Sequence, residues 1–135
     1  MSANEDTCLN LLLFSVGGVY FGIDAELTAG ITEYRGEEAE DLFWFHDVVG
    51  YGGSIPLYST PTIVTVRLEG HHSYRVIIDK MEAIAEICSG DIRPFPPLME
   101  AFALPKGMWG ITVREGHMVL LMDFTRLVRY KPGTA

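Results

Sequence analysis

The sequence predicts an all-β fold, either one barrel or a pair of barrels, and three observations carry that expectation. Short apolar runs come in pairs, each pair joined by a glycine-containing turn. Many short strands follow at close spacing, with glycine at the turns. One terminal helix, after Asp123, completes the pattern.

Taken in order, residues 9–16 and 19–23 form a first hairpin about Gly17 and Gly18, which supply the positive φ that a tight turn needs. Residues 24–29 suit a short helical turn, and residues 30–34 read as a strand. Residues 35–41 are acidic and expected in an exposed loop, whereas Leu42, Phe43, Trp44 and Phe45 are expected to enter the core. Residues 50–54 form a turn. Ile55, Pro56 and Leu57 make an edge or corner segment, because proline cannot donate a ladder hydrogen bond. A second hairpin joins residues 62–68 to 73–78. In its first strand Thr62, Val64, Val66 and Leu68 alternate with Ile63, Thr65 and Arg67. A third joins residues 108–113 to 117–122, and Asp123 is placed to cap a helical turn over residues 124–128 before Pro132.

The stretch from Arg75 to Ile87 can be read in two ways. Asp79 with Glu82 matches a helix capping box, and the alanines and glutamates that follow favour helix. Met81, Ala83, Ala85 and Ile87 also alternate with Glu82, Ile84 and Glu86, as in a half-buried strand.

The chain has 135 residues, the size of one domain, and at 48% hydrophobic and 21% charged it can bury a core. Its net charge of −8 disfavours nucleic acid and anionic membrane surfaces, which are bound through clustered Lys and Arg. No run approaches the roughly 20 apolar residues that span a bilayer. The acidic start is unlike a signal peptide. The expected organisation is a tail over residues 1–8, a single domain over 9–130 and a tail over 131–135. A cytoplasmic location is expected, with Cys8 and Cys88 as reduced thiols.

No catalytic constellation stands out. His71 and His72 read as solvated turn residues, since neighbours on an extended chain point apart and no further ligand is spaced to join them. His46 and Asp47 are poorly placed as an acid–base pair for the same reason. Asp79 and Asp123, each after an apolar strand, suit turn or cap roles better than catalysis. No nucleophile elbow, phosphate-binding loop or dinucleotide fingerprint occurs. The expectation is therefore a non-enzymatic chain without cofactor or metal. The aromatic set Phe43, Trp44, Phe45, Phe95, Phe102 and Trp109 divides between core and a protein-binding patch. Residues 95–102, apolar yet interrupted by proline, are the best exposed candidate.

Several segments together resemble the CheW-like domain of bacterial chemotaxis. Leu12, Leu13 and Phe14 with Tyr20, Phe21, Gly22 and Ile23 look like its opening strand pair, and Val76, Ile77, Ile78, Asp79 and Met81 are similar to its apolar segment ending in Asp. Ile92, Arg93 and Pro94 with Pro96 and Pro97 resemble its proline exit. Trp109, Gly110 and Ile111, then Gly116, Val119 to Asp123 and Leu127, look like its closing strands and helix.

The resemblance implies two intertwined five-stranded SH3-like barrels, strand for residues 81–87, and a short C-terminal helix. It implies an adaptor that binds the regulatory domain of a CheA-type histidine kinase and the cytoplasmic tip of a chemoreceptor. The expected partner-binding residues are Gly30, Ile31, Tyr34, Gly52, Gly53, Pro56, Phe95, Pro96 and Leu98. Two positions depart from the family. Its usual Glu is Gly30 here and its usual Arg is Gly52, so a polar pair at the receptor-binding surface is missing with neither charge stranded. An alternative is therefore a module that binds a kinase or another CheW-like domain without a receptor. A small-ligand-binding or catalytic β-barrel, supported only by scattered His and Asp residues, is the third reading.

Overall fold

A computed structural model describes residues 7–50, 55–67 and 73–124. Two sheets hold the described strands. The first has the order β7-β1-β2-β9-β8 and the second β3-β5-β6-β4. The strands are β1 (Cys8–Val16), β2 (Val19–Asp24), β3 (Thr28–Glu33), β4 (Leu42–Trp44), β5 (Thr62–Arg67), β6 (Ser73–Ile78), β7 (Lys80–Cys88), β8 (Met108–Arg114) and β9 (His117–Met122). Among the described residues there are also two short α-helices, α1 (Phe45–Val49) and α2 (Pro97–Ala103), and three 3-10 turns. The expectation of an all-β chain in two subdomains is met. Five strands stand in the first sheet, and four in the second among the described residues.

β1 is covered on both faces. Leu11, Leu12, Leu13 and Phe14 are all buried, which is why this strand reads as a continuous apolar run rather than an alternation. Leu12, Phe14 and Val16 face the larger core, shared with Val64 and Val66 of β5, Val76 and Ile78 of β6, and Phe45 of α1. Leu11 and Leu13 face a smaller core with Ala85, Ile87, Val119 and Leu121. In the larger core Phe14 lies 5.6 Å from Phe21 and 5.4 Å from Phe45, ring centre to ring centre.

Local chemistry accounts for the turns. Gly17 and Gly18 both have positive φ, at 61° and 82°, the turn that matches strand twist in a two-residue hairpin. Glu115 and Gly116 do the same at the β8–β9 turn. The chain between β2 and β3 makes one 3-10 turn, Ala25–Leu27, with the Asp24 carboxylate accepting the Glu26 N–H at 2.9 Å. α1 ends at Gly50 in the left-handed region, where Lys106 donates to the carbonyls of Val49 and Gly50. Ile55, Pro56 and Leu57 join no strand. Of the expected terminal helix only Phe124 is described, and the turn over residues 51–54, His71 and His72 also lie outside the described residues.

Residues 80–88 are strand. β7 pairs with β1 over almost its whole length, from Cys8↔Cys88 to Ser15↔Lys80, and its exposed and covered residues alternate. Pairing with a central strand overrides the helix propensity of the alanines and glutamates. Asp79 is not a helix cap. One of its carboxylate oxygens accepts the N–H groups of Ser59 and Thr60, both at 2.7 Å, and its carbonyl accepts the Thr60 hydroxyl.

The antiparallel register of β1 and β7 also corrects the expectation of two free thiols. Cys8 stands opposite Cys88 and the two are joined in a disulfide that closes a sequence separation of 80. It ties residue 8, expected in the tail, into the sheet. No spacing signature marks the pair, and their wide separation along the chain gave no hint of it; strand register alone brings the sulfurs together.

Two expected outcomes follow from these contacts. Intact-mass measurement of the purified protein should show the disulfide, and reducing it should lower the unfolding free energy by about 2–4 kcal/mol. Tyr74 donates its hydroxyl to the Phe124 carbonyl at 2.7 Å inside the larger core. Burial, and secondarily the charge of Asp123, push its pKa far above the ordinary value. Because the folded pKa exceeds the unfolded one, the stabilisation is complete below about pH 10 and lost as pH rises beyond it. Absorbance titration should therefore show a tyrosine that ionises only as the protein unfolds.

Candidate partner-binding surface

The expected surface residues that the structure describes divide among four places. Gly30 and Ile31 lie on β3, which among the described residues is an edge strand of the second sheet, paired on one side with β5 through Gly30↔Thr65 and Ile31↔Val64. All but the first residue of β3 are exposed, and Ile31 is 39% accessible although its register partner Val64 is buried. The strand therefore offers an apolar side chain beside a row of backbone groups, the arrangement that invites a further strand. The β3–β5 register shifts between Thr28 and Gly30. A Cβ built at Gly30 meets no atom within 4 Å, and its φ is not positive, so neither space nor backbone demands glycine.

Pro56 sits elsewhere, over the β1–β2 turn. A Cβ at Gly17 would come 3.2 Å from the Pro56 Cβ, so the glycine lets the proline close down on the hairpin. Ile55 and Leu57 beside it are exposed. Gly52 and Gly53 lie outside the described residues.

The third place is the segment leading into α2. Phe95 was expected at the surface and is instead 7% accessible, a correction that follows from how the segment is held. Arg93 and Ile111 exchange two backbone hydrogen bonds of 2.8 Å, and Thr112 donates its hydroxyl to the Asp91 carbonyl at 2.7 Å. These bonds fasten the proline exit to β8 and turn Phe95 inward. Pro96 and Leu98 remain outside, Leu98 at 85% accessible, because Pro97 starts a helix that presents Leu98 and Met99 outward.

Tyr34, the remaining expected residue, was expected at the end of a strand but lies just beyond β3, where a structured corner takes the place of the acidic loop expected over residues 35–41. Its N–H donates to the Pro61 carbonyl at 3.1 Å, which anchors the start of the β3–β4 connection. The far end is anchored by Arg75. Its guanidinium donates twice to the Asp41 carboxylate, at 3.0 and 2.9 Å, while its N–H donates to the Asp41 carbonyl. The hydrogen bond from Arg75 holds the Asp41 carboxyl below its ordinary pKa and raises that of Arg75. The Tyr34 ring meets Trp44 edge to face at 5.3 Å, and Trp44 meets Tyr58 at 4.9 Å.

His46 and Asp47 come closer than neighbours on an extended chain would. The first turn of α1 brings His46 Nε2 to 3.6 Å from the Asp47 carboxylate, and Nδ1 lies 3.0 Å from the Tyr58 hydroxyl. The chain of groups ends in an aromatic cluster, with no nucleophile in it. Among the described residues, no three His, Cys, Asp or Glu side chains gather to hold a metal, and no helix is long and apolar enough to cross a membrane.

Replacing Gly30 tests whether the β3 edge is open. Gly30→Val is expected to raise stability by about 0.5–1 kcal/mol in denaturant unfolding, because it removes the entropy cost of glycine in a strand. A loss of stability would mean that other atoms cover this position.

No family model matches the sequence, and no curated protein does. Among solved structures, the chain is similar to the scaffolding protein TtCheW from Thermoanaerobacter tengcongensis. The TM-score is 0.67 at 17% identity, over 90% of this chain and 92% of that one, so what the two share is the CheW-like fold.

Proposed function

We propose that this chain is a non-enzymatic adaptor of a chemotaxis-type signalling system that binds the regulatory domain of a CheA-type histidine kinase. The observation that carries the reading is the CheW-like fold over nearly the whole chain, combined with an edge strand, β3, whose exposed side chains include Ile31. An edge of this kind gives affinity through backbone hydrogen bonds and an apolar anchor, and needs no catalytic group. SH3-like barrels and a cytoplasmic location belong to this proposal. In the cytoplasm the Cys8–Cys88 pair would meet a reducing pool. The β3 surface lies in the other sheet from that pair.

A second reading is favoured by Gly30. With no carboxylate at that position and Gly52 in place of the arginine, the chain lacks the polar pair expected for docking a chemoreceptor tip. It would then couple kinases or other CheW-like domains alone. Co-sedimentation with receptor signalling fragments separates the two: robust pelleting supports receptor coupling, and its absence supports the narrower module.

Calorimetric titration with the regulatory domain of a CheA-type kinase from the same genome should give saturable binding at micromolar affinity, about −8 kcal/mol. Ile31→Asp should abolish the heat while the far-ultraviolet spectrum and melting curve stay native. Absence of binding by the folded protein, or binding unaffected by Ile31→Asp, would overturn the assignment.

A further inference from the structure

The β3–β4 connection covers a cavity of about 220 Å³ lined by Tyr34, Glu37, Glu38, Leu42, Trp44 and Ile77. Its floor is the face of the second sheet turned away from the larger core. There Ile77 of β6 pairs with Trp44 of β4 and with Ile63 of β5. Its wall is the Tyr34–Trp44 pair, and its rim carries two exposed carboxylates. The volume is below the roughly 300–1,000 Å³ of sites that enclose a drug-sized ligand, and it suits a single side-chain head.

We propose that this pocket receives an arginine side chain presented by a protein partner. Aromatic faces attract a cation, and a guanidinium is the cation that both stacks on rings and bonds a carboxylate in its own plane. The charges around the cavity agree. Between Glu33 and Asp41 stand five carboxylates and one arginine, and that arginine, Arg35, lies 3.5 Å from Glu33. Arg75, the other nearby cation, is held by Asp41. One oxygen of Glu37 accepts the Arg35 N–H at 2.8 Å, which fixes the carboxylate's position at the rim. The pocket is also built before any partner arrives, because Tyr34 is anchored to Pro61 and Asp41 to Arg75 at the two ends of the connection. A chain of net charge −8 selects a basic partner surface, and the pocket is the place where one residue of that surface would be read individually.

The test needs no kinase, so its outcome is separate from that of the adaptor reading. The probe is N-acetyl-arginine methylamide, with the uncharged N-acetyl-citrulline methylamide as its isostere, titrated into isotopically labelled protein. The expected result is a saturable shift of the Trp44 indole resonance with the arginine probe only, while Trp109 stays still. The Glu37→Gln, Glu38→Gln double variant should weaken binding about fivefold. Glu100→Gln, which removes one charge from α2, should leave it unchanged. Tyr34→Leu should weaken binding as well; should that variant unfold, the glutamine variants decide alone. An equal response to the citrulline probe, no saturable shift, or undiminished binding by the double glutamine variant would overturn the proposal.

Discussion

The structure depends on one strand being buried on both faces. β1 pairs with β2 on one side and β7 on the other, and its consecutive residues Leu11 to Phe14 feed two separate cores. A strand in that position cannot slip its register, because a shift by one residue would exchange Leu12 and Phe14 for Leu11 and Leu13 across the sheet. Everything that follows is referred to that register: the larger core that joins the two sheets, the smaller core under β7 and β9, and the meeting of Cys8 with Cys88.

Around the larger core the aromatic residues work as a connected set. Phe14, Phe21, Phe45 and Phe124 come from β1, β2, α1 and the residue after Asp123, and their rings meet at angles from near-parallel to edge-on. Such contacts add specific geometry to area burial. They hold a very short helix, α1, in place, since its five residues could not be stable on propensity alone. α1 in turn sets the direction of Trp44, which precedes it, and so the wall of the acidic corner. The path from core packing to a surface feature is therefore short: Phe45 is fully buried and its neighbour Trp44 lines the pocket.

The surface divides along the same lines. The β3 edge and the β3–β4 connection are built on the second sheet, and the exposed Leu98 and Met99 of α2 stand beside β8 of the first. The first combines an open strand edge with an acidic, aromatic corner; the second is apolar and helical. Two chemically different surfaces therefore stand on the two sheets. Asp47, His46 and Tyr58 form a linked set of polar groups that runs into packed rings.

The features legible in the residues alone were local. Turn geometry depends on the φ of one or two residues, so Gly17-Gly18 and the turn at Gly116 placed two hairpins correctly. The apolar run of β1 and the alternation of β5 placed their strands. Tertiary structure decided whatever depends on a distant neighbour. Residues 80–88 suited helix and strand equally until β1 offered an edge to pair with. Phe95 looked like part of an exposed apolar segment until hydrogen bonds from Arg93 and Thr112 drew the chain onto β8. The acidic stretch before β4 read as a solvated loop because charge density signals solvent. Its cavity exists because Pro61 and Arg75, far along the chain, hold its two ends. Cys8 and Cys88 carried no spacing signal, because which residues stand opposite one another is a property of sheet register and cannot be read from either strand alone.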